Sequence, residues 1–186
     1  VSTAVTTPAV TGSAPALRRL YLVRFAFAIV WAVLLVVTGP DLGLVVAVLV
    51  VLYPLFDVAC AVVDARASRP APAPRGLYLN VAVSLLAAIG LGVAAASGVP
   101  DVLRVWGVWA VVAGLVQLVV GIGRRALGGQ WPMVLSGGIS VFAGTGFLLM
   151  AGAADPTLVN VAGYATLGGV FFLVSALRLG RGAGDR

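Results

Sequence analysis

Few residues of this 186-residue chain could do chemistry, and the most demanding is Asp57. It stands in Tyr53-Pro54-Leu55-Phe56-Asp57, inside the apolar run Leu42–Val63. A carboxylate at the centre of a bilayer-spanning helix costs ~2.5–3.5 kcal/mol on insertion scales, so it needs a partner or a job. Pro54 removes a backbone donor three residues earlier, which a membrane helix tolerates where neighbours cover the freed carbonyl. The rest of the inventory is short. The chain has no His, Lys or Glu; every base is Arg, every acid is Asp, and Cys60 is the lone thiol. Without His there is neither Ser/His nor Cys/His catalysis, and no ligand set for a transition metal or haem. One Cys cannot close an internal disulfide, so Cys60 in its apolar run reads as packing. Gly121-Ile122-Gly123-Arg124-Arg125-Ala126 spells the G-x-G-x-x-A string of dinucleotide sites. Here it ends an apolar helix instead of joining a strand to a helix, and carries no such meaning. The expectation is therefore no enzyme, no cofactor and no metal.

The elements that must position Asp57 follow from composition. Hydrophobic residues make up 61% and charged residues 10%, with a mean hydropathy of +1.13. Soluble domains carry ~25% charged residues, so the expected solvent is lipid. A pI near 10.7 raises nucleic-acid binding. The Arg residues, however, lie in short clusters between apolar runs, as in cytoplasmic loops, and no nucleic-acid partner is expected. Six apolar runs, Leu20–Thr38, Leu42–Val63, Leu77–Ala96, Val102–Ile122, Pro132–Ala151 and Thr157–Leu177, match a ~30 Å hydrocarbon core at 1.5 Å per residue. The fold class is all-α: a polytopic membrane protein with six transmembrane helices as three repeated hairpins, 20–63, 77–122 and 132–177. Residues 1–17 read as a disordered tail, 18–181 as the membrane domain, 65–76 as a Pro-rich cytoplasmic linker and 182–186 as a C-terminal tail.

Of the twelve Arg only Arg104 lies near the side marked by Asp41, Asp101 and Asp155. This positive-inside bias puts both termini in the cytoplasm. The expected partners are the bilayer and, at the Arg clusters, anionic lipid, at ~1 kcal/mol per residue. Abundant Ala, Gly, Val and Pro with Arg-only bases suggests a GC-rich bacterial genome.

The hairpins repeat. Setting Asp41, Asp101 and Asp155 in register superposes Pro54, Gly114 and Gly168, and aligns Asp57 with Gln117 and Phe171. Repeats about 55–60 residues apart argue for a triplicated hairpin in parallel topology. Small residues should drive packing: Gly107, Gly114 and Gly121 on span 4, Ser136, Ser140 and Gly144 on span 5, and Ala162, Gly169 and Ala176 on span 6. These seams predict a tight bundle of spans 4, 5 and 6.

Arg24 and Asp57 fall at similar depth on an antiparallel hairpin, so they are expected to pair; the other reading has Arg24 snorkelling to the headgroups and Asp57 protonated. Arg24, Tyr53, Asp57, Asn80 and Gln117 form a candidate polar layer, with Ser136 and Ser175 at its margin and Tyr53 placed to donate to Asp57. The layer reads either as a structural staple or as the lining of a small polar cavity.

Three stretches carry a resemblance: Arg104-Val-Trp-Gly-Val-Trp-Ala-Val-Val-Ala-Gly-Leu-Val-Gln, Gly128-Gly-Gln-Trp-Pro-Met-Val-Leu-Ser-Gly-Gly-Ile-Ser-Val-Phe-Ala-Gly, and Ala162-Gly-Tyr-Ala-Thr-Leu-Gly-Gly-Val-Phe-Phe-Leu-Val-Ser-Ala-Leu-Arg. Over roughly residues 77–181 the chain resembles the HdeD-type short-repeat integral membrane proteins, a family of unknown biochemical function. The resemblance implies six spans in pairs, a bacterial inner membrane and, through the family's namesake, a link to acid resistance. It supplies no catalytic residue. Two functions are expected: a non-enzymatic protein supporting envelope or acid-stress tolerance, alone, as a homo-oligomer or as an accessory subunit, or a small proton or solute transporter or channel using Arg24 and Asp57.

Overall fold

The computed structural model describes residues 13–38, 42–67, 75–123 and 131–184. Six helices account for nearly all of them: α1 (Ser13–Val37), α2 (Leu44–Ala67), α3 (Arg75–Ala94), α4 (Val99–Gly123), α5 (Trp131–Met150) and α6 (Val159–Gly184). Five are long and apolar enough to cross a membrane; in α3 the apolar stretch is the shorter Tyr78–Ala94. Each helix overlaps one apolar run of the sequence, and the fold is that of a polytopic helical membrane protein. Its outward faces are correspondingly apolar. Phe142 is 84% exposed, Leu44 82% and Trp131 81%, an arrangement that suits lipid and not water.

Two stretches expected in the tails are helical instead. Residues 13–17 begin α1, and 182–184 finish α6. The rest of the expected N-terminal tail, the Gly39-Pro40-Asp41 turn, linker residues 68–74 and the Arg124-Arg125 turn lie outside the described residues. Between α3 and α4 the chain turns at Gly98, whose φ of 121° lies where a side chain would be strained, and Pro100 occupies the first turn of α4.

Neighbours in sequence are neighbours in space, and α6 returns to α1, so the helices form a ring. The most extensive faces are α4 with α5, α6 with α1, and α2 with α3; α1 with α2 and α3 with α4 touch less, and α5 with α6 only sparsely. The expected bundle of spans 4, 5 and 6 is thus corrected. Span 4 packs on span 5, but the small-residue face of span 6 turns to span 1. A Cβ on Gly169 would stand 3.1 Å from the Cβ of Ala28, and one on Gly180 would stand 3.1 Å from the Arg18 guanidinium carbon. A run of Ala and Gly shows which face of a helix can approach another backbone; it does not name the partner.

The α4–α5 seam shows how close that approach is. A Cβ on Gly107 would lie 2.7 Å from the Gly144 carbonyl oxygen, and one on Gly144 would lie 2.6 Å from that of Gly107. Gly114 and Gly137 face each other in the same way, at 2.6 and 2.8 Å. The pairs are seven residues apart on both antiparallel helices, so each two-turn step returns glycine to glycine. Gly137, not Ser136, is the seam residue of α5. Backbones this close gain dispersion and Cα–H···O contacts that replace the missing hydrophobic drive in lipid. Gly121 meets Val134 instead, with 2.9 Å to a valine methyl.

On the far side of the ring from Arg24 the interior is solid. Trp31, Val50, Leu91, Val102, Leu103, Trp106 and Val161 are fully buried within one continuous core. Trp31 and Trp106 stack at 5.4 Å, and Tyr53 contacts both rings. Pro54 is fully buried and leaves the Val50 carbonyl without its usual helical donor. One residue earlier, the Trp31 indole donates to the Leu49 carbonyl at 2.6 Å, so polar cover sits beside the gap in the ladder.

The seam gives a direct contrast. Gly114→Ala or Gly144→Ala drives a methyl into a backbone carbonyl and should cost about 1–3 kcal/mol of stability. Gly163→Ala, with nothing within 4 Å of its Cβ, should be neutral to stabilising, by up to about 1 kcal/mol. Unfolding of the purified variants in detergent micelles checks this; equal effects at the three positions would refute the seam.

Candidate functional site

Arg24 of α1 and Asp57 of α2 are both part-buried, and they meet. The Arg24 guanidinium donates to Asp57 Oδ1, as the matched depth of the two helices predicted. On its other face the guanidinium sits over the Phe172 ring of α6, 4.3 Å from the centroid, which adds a cation–π contact. The opposite carboxylate oxygen takes two donors from α3: Asn80 Nδ2 at 2.8 Å and Ser84 Oγ at 3.0 Å. Ser84 in turn accepts from the Trp109 indole of α4 at 3.3 Å. One carboxylate therefore ties α1, α2 and α3 directly, and reaches α4 and α6 through the donors it holds. The snorkelling alternative for Arg24 is not adopted in this structure.

Ser84 was absent from the sequence reading, though a signal existed. It lies four residues after Asn80, one turn along the same face of α3. A fully buried Ser in an apolar helix needs an acceptor, and Asp57 supplies it. Tyr53 takes a different part from the one expected. Its ring is clasped by Phe27, Trp31, Trp106 and Trp109 at centroid separations of 4.7–6.2 Å. The donors to Asp57 are Arg24, Asn80 and Ser84, and Tyr53 contributes packing.

These groups border a cavity of about 170 Å³ with walls from all six helices. Arg24, Tyr53, Asp57, Asn80 and Gln117 all line it, so the five candidate polar residues do converge. Ser136 and Ser140 add hydroxyls from α5; Ser175 is turned into its own helix, donating to the Phe171 carbonyl. The sequence reading also passed over Tyr164 of α6, whose hydroxyl shares a 2.8 Å hydrogen bond with Ser140. That bond bridges the sparsely packed α5–α6 joint. Gln117 stands apart: its Oε1 is buried and has no hydrogen-bond partner, and the Trp106 indole N–H is likewise unpartnered. A buried acceptor without a donor costs about 1–3 kcal/mol, a cost that Gln117 carries in the wall of the cavity.

Chemically, the arrangement can hold a neutral ion pair and offer hydroxyl and amide groups to a small polar guest. A space this size has room for about five waters at ~30 Å³ each. The remaining seam residues, Gly107, Gly114, Gly121, Gly144 and Gly169, lie at helix contacts and do not border the cavity.

Both charges are largely covered, with side chains 19% and 15% exposed. Removing one partner strands the other, so Asp57→Asn and Arg24→Gln should each cost as much as about 3–5 kcal/mol. Together they should cost clearly less than the sum of the two single effects. Ser84→Ala should cost about 1 kcal/mol. Unfolding midpoints of the four variants in micelles close the cycle, and strict additivity would sink the pair as a coupled unit.

Compared with protein-family models, curated proteins and solved structures, the chain matches none.

Proposed function

We propose that the chain is a non-enzymatic multi-pass protein of a bacterial inner membrane, with six spans in three hairpin repeats and both termini in the cytoplasm. The observation that carries this reading is the saturation of Asp57. Both carboxylate oxygens are taken, by donors from two other helices. A group that carries protons or binds an ionic substrate must exchange partners, whereas a staple keeps them. The wall of Tyr53 and Trp109, backed by the buried Trp31 and Trp106, favours a cavity that stops short of the far side.

Six spans are supported by α3, whose 20 residues reach roughly 30 Å even though its apolar part is shorter. The repeat is supported by the ring itself. Its three broad faces, α2–α3, α4–α5 and α6–α1, recur at every second joint, and within-hairpin joints are the thin ones. Asp57, Gln117 and Phe171, which share one register position, all line the same cavity. The HdeD-type resemblance suggests envelope or acid-stress tolerance as the physiological setting, with the protein acting alone, as an oligomer or as an accessory subunit. With no His in the chain, any response near neutral pH would have to come from a partner.

Reconstituted in liposomes, the protein should pass no more protons than protein-free vesicles, and Asp57→Asn should leave that baseline unchanged. Flux that disappears in Asp57→Asn would replace this reading with a transporter. For topology, single cysteines near either terminus in a Cys60→Ala background should react with an impermeant maleimide only after the cytoplasmic face is opened.

A further inference from the structure

The grooves between neighbouring helices are not alike. The one between α5 and α6, of about 760 Å³, has no charged residue in its lining. The one between α3 and α4, of about 420 Å³, has Arg104. Its walls are Val83, Leu86 and Ala87 of α3 and Val105, Val108 and Val112 of α4, and Trp109 completes the lining. Leu86 and Val108 are exposed, so this slot faces the bilayer. From Arg104 to Val112 it follows α4 for roughly 12 Å by the helical rise. Beside Arg104 the two helices close: a Cβ on Gly90 would stand 3.1 Å from a Val105 methyl. Trp109 is held by its hydrogen bond to Ser84 and by ring contacts with Tyr53 and Trp106, which makes this part of the lining a fixed surface.

The charged end of the slot has its own pattern. Arg104 stands five residues into α4, roughly 8 Å by the same rise, and a side chain of its length reaches headgroup level from there. It lies on the Asp-marked side, away from the Arg clusters expected to hold anionic lipid. One turn earlier is Asp101, whose Oδ1 accepts from Arg104 Nη1. The side chains are 56% and 42% exposed, so the pair contributes little to stability and stays open to a ligand. Among the described residues this is the one hydrogen bond of either side chain. Most of the guanidinium N–H groups and the second carboxylate oxygen are left for a guest.

A cation and an anion side by side at the end of an apolar slot match a zwitterionic head on an acyl chain. Phosphate is an anion whose oxygens fit the Arg fork, and a primary ammonium brings donors to Asp101. A choline head has no N–H to give. The phosphate of phosphatidylglycerol would sit beside Asp101 with no cation of its own. A second copy of the chain over this face would bury the ion pair at a desolvation cost.

We propose that the α3–α4 groove is a binding site for phosphatidylethanolamine, with the phosphate on Arg104, the ammonium on Asp101 and one acyl chain along Val105, Val108 and Val112. The inference rests on the reading of the chain as membrane-spanning; it needs neither transport nor cytoplasmic termini.

The probe is a phosphatidylethanolamine with a diazirine in one acyl chain, mixed into phosphatidylcholine vesicles that carry the full-length protein. Cross-links should concentrate on residues 83–87 and 105–112. Unlabelled phosphatidylethanolamine should displace them at least about threefold better than phosphatidylglycerol. Arg104→Gln should cut labelling about three- to tenfold, and Asp101→Asn should keep labelling but erase the preference between the two competitors. Labels spread over all lipid-facing helices, or equal displacement by both lipids, would overturn the site in the wild-type protein alone. A dimer whose contact maps to this groove would put a second copy there, and the proposal fails. Proton flux and terminal accessibility are unaffected by these outcomes, so loss of this site leaves the parent reading standing.

Discussion

A carboxylate surrounded by hydrocarbon has to be neutralised and hydrogen-bonded within the protein, and that requirement shapes the interior of this ring. Asp57 has two oxygens, and satisfying both takes a cation from α1 and two donors from α3. Those three side chains must reach one point from two helices, which fixes the depth and rotation of α1 and α3 against α2. Arg24 then needs its own second face covered, and Phe172 of α6 covers it. Through that contact the charge pair also bears on the α6–α1 joint, where no described segment connects the two helices in sequence. Directional polar contacts are suited to this task, because apolar side chains are solvated by lipid as well as by one another.

The opposite half of the ring is held by another force. Between α4 and α5 there is no charge, and the backbones themselves are the contact surface. Reciprocal approaches of 2.6–2.8 Å from hypothetical Cβ atoms to carbonyl oxygens leave no room for any side chain at Gly107, Gly114, Gly137 and Gly144. Such a seam is strong only where glycine meets glycine in register, and the seven-residue repeat on both helices provides it. Between the two regions lies the aromatic cluster of Trp31, Tyr53, Trp106 and Trp109, which fills the space the polar groups do not use.

Much of this was readable from residues alone, for identifiable reasons. Apolar run lengths placed six helices, and their ends moved by one to seven residues, since polar and charged flanks continue a helix beyond its apolar run and leave weak marks in sequence. The Arg24–Asp57 pair was legible because topology sets depth, and two opposite charges at one depth have few other partners. Asn80 and Gln117 entered the layer by the same depth argument. Partner choice was not legible. The small faces of α4, α5 and α6 looked alike as strings, yet one pair closed on itself and the third turned to α1. Helix azimuth decides that, and azimuth depends on every other contact in the ring. Tyr53 illustrates the same limit: the i to i+4 spacing put it near Asp57, but burial of its ring among three tryptophans outweighed a fourth donor to a carboxylate already served.

The cavity wall changes character around the ring in step with how closely its helices pack. Asp57 on α2, Gln117 on α4 and Phe171 on α6 all face the same space, and they run from charged through amide to hydrocarbon. On the α2 side, polarity demands partners, and the partners draw α1 and α3 inward. On the α4 side, the amide is left with an unmet acceptor while the backbone seam to α5 holds the helix in place. On the α6 side nothing polar at this register calls for closure, and α5 has spent its packing glycines on α4. Two hydrogen bonds span the joint that remains, one between Ser140 and Tyr164 and one from the Asn160 amide to the Met150 sulfur. The thinness of α5–α6 is thus a consequence of where the polar residues are, and an apolar groove beside a polar cavity follows from the same distribution.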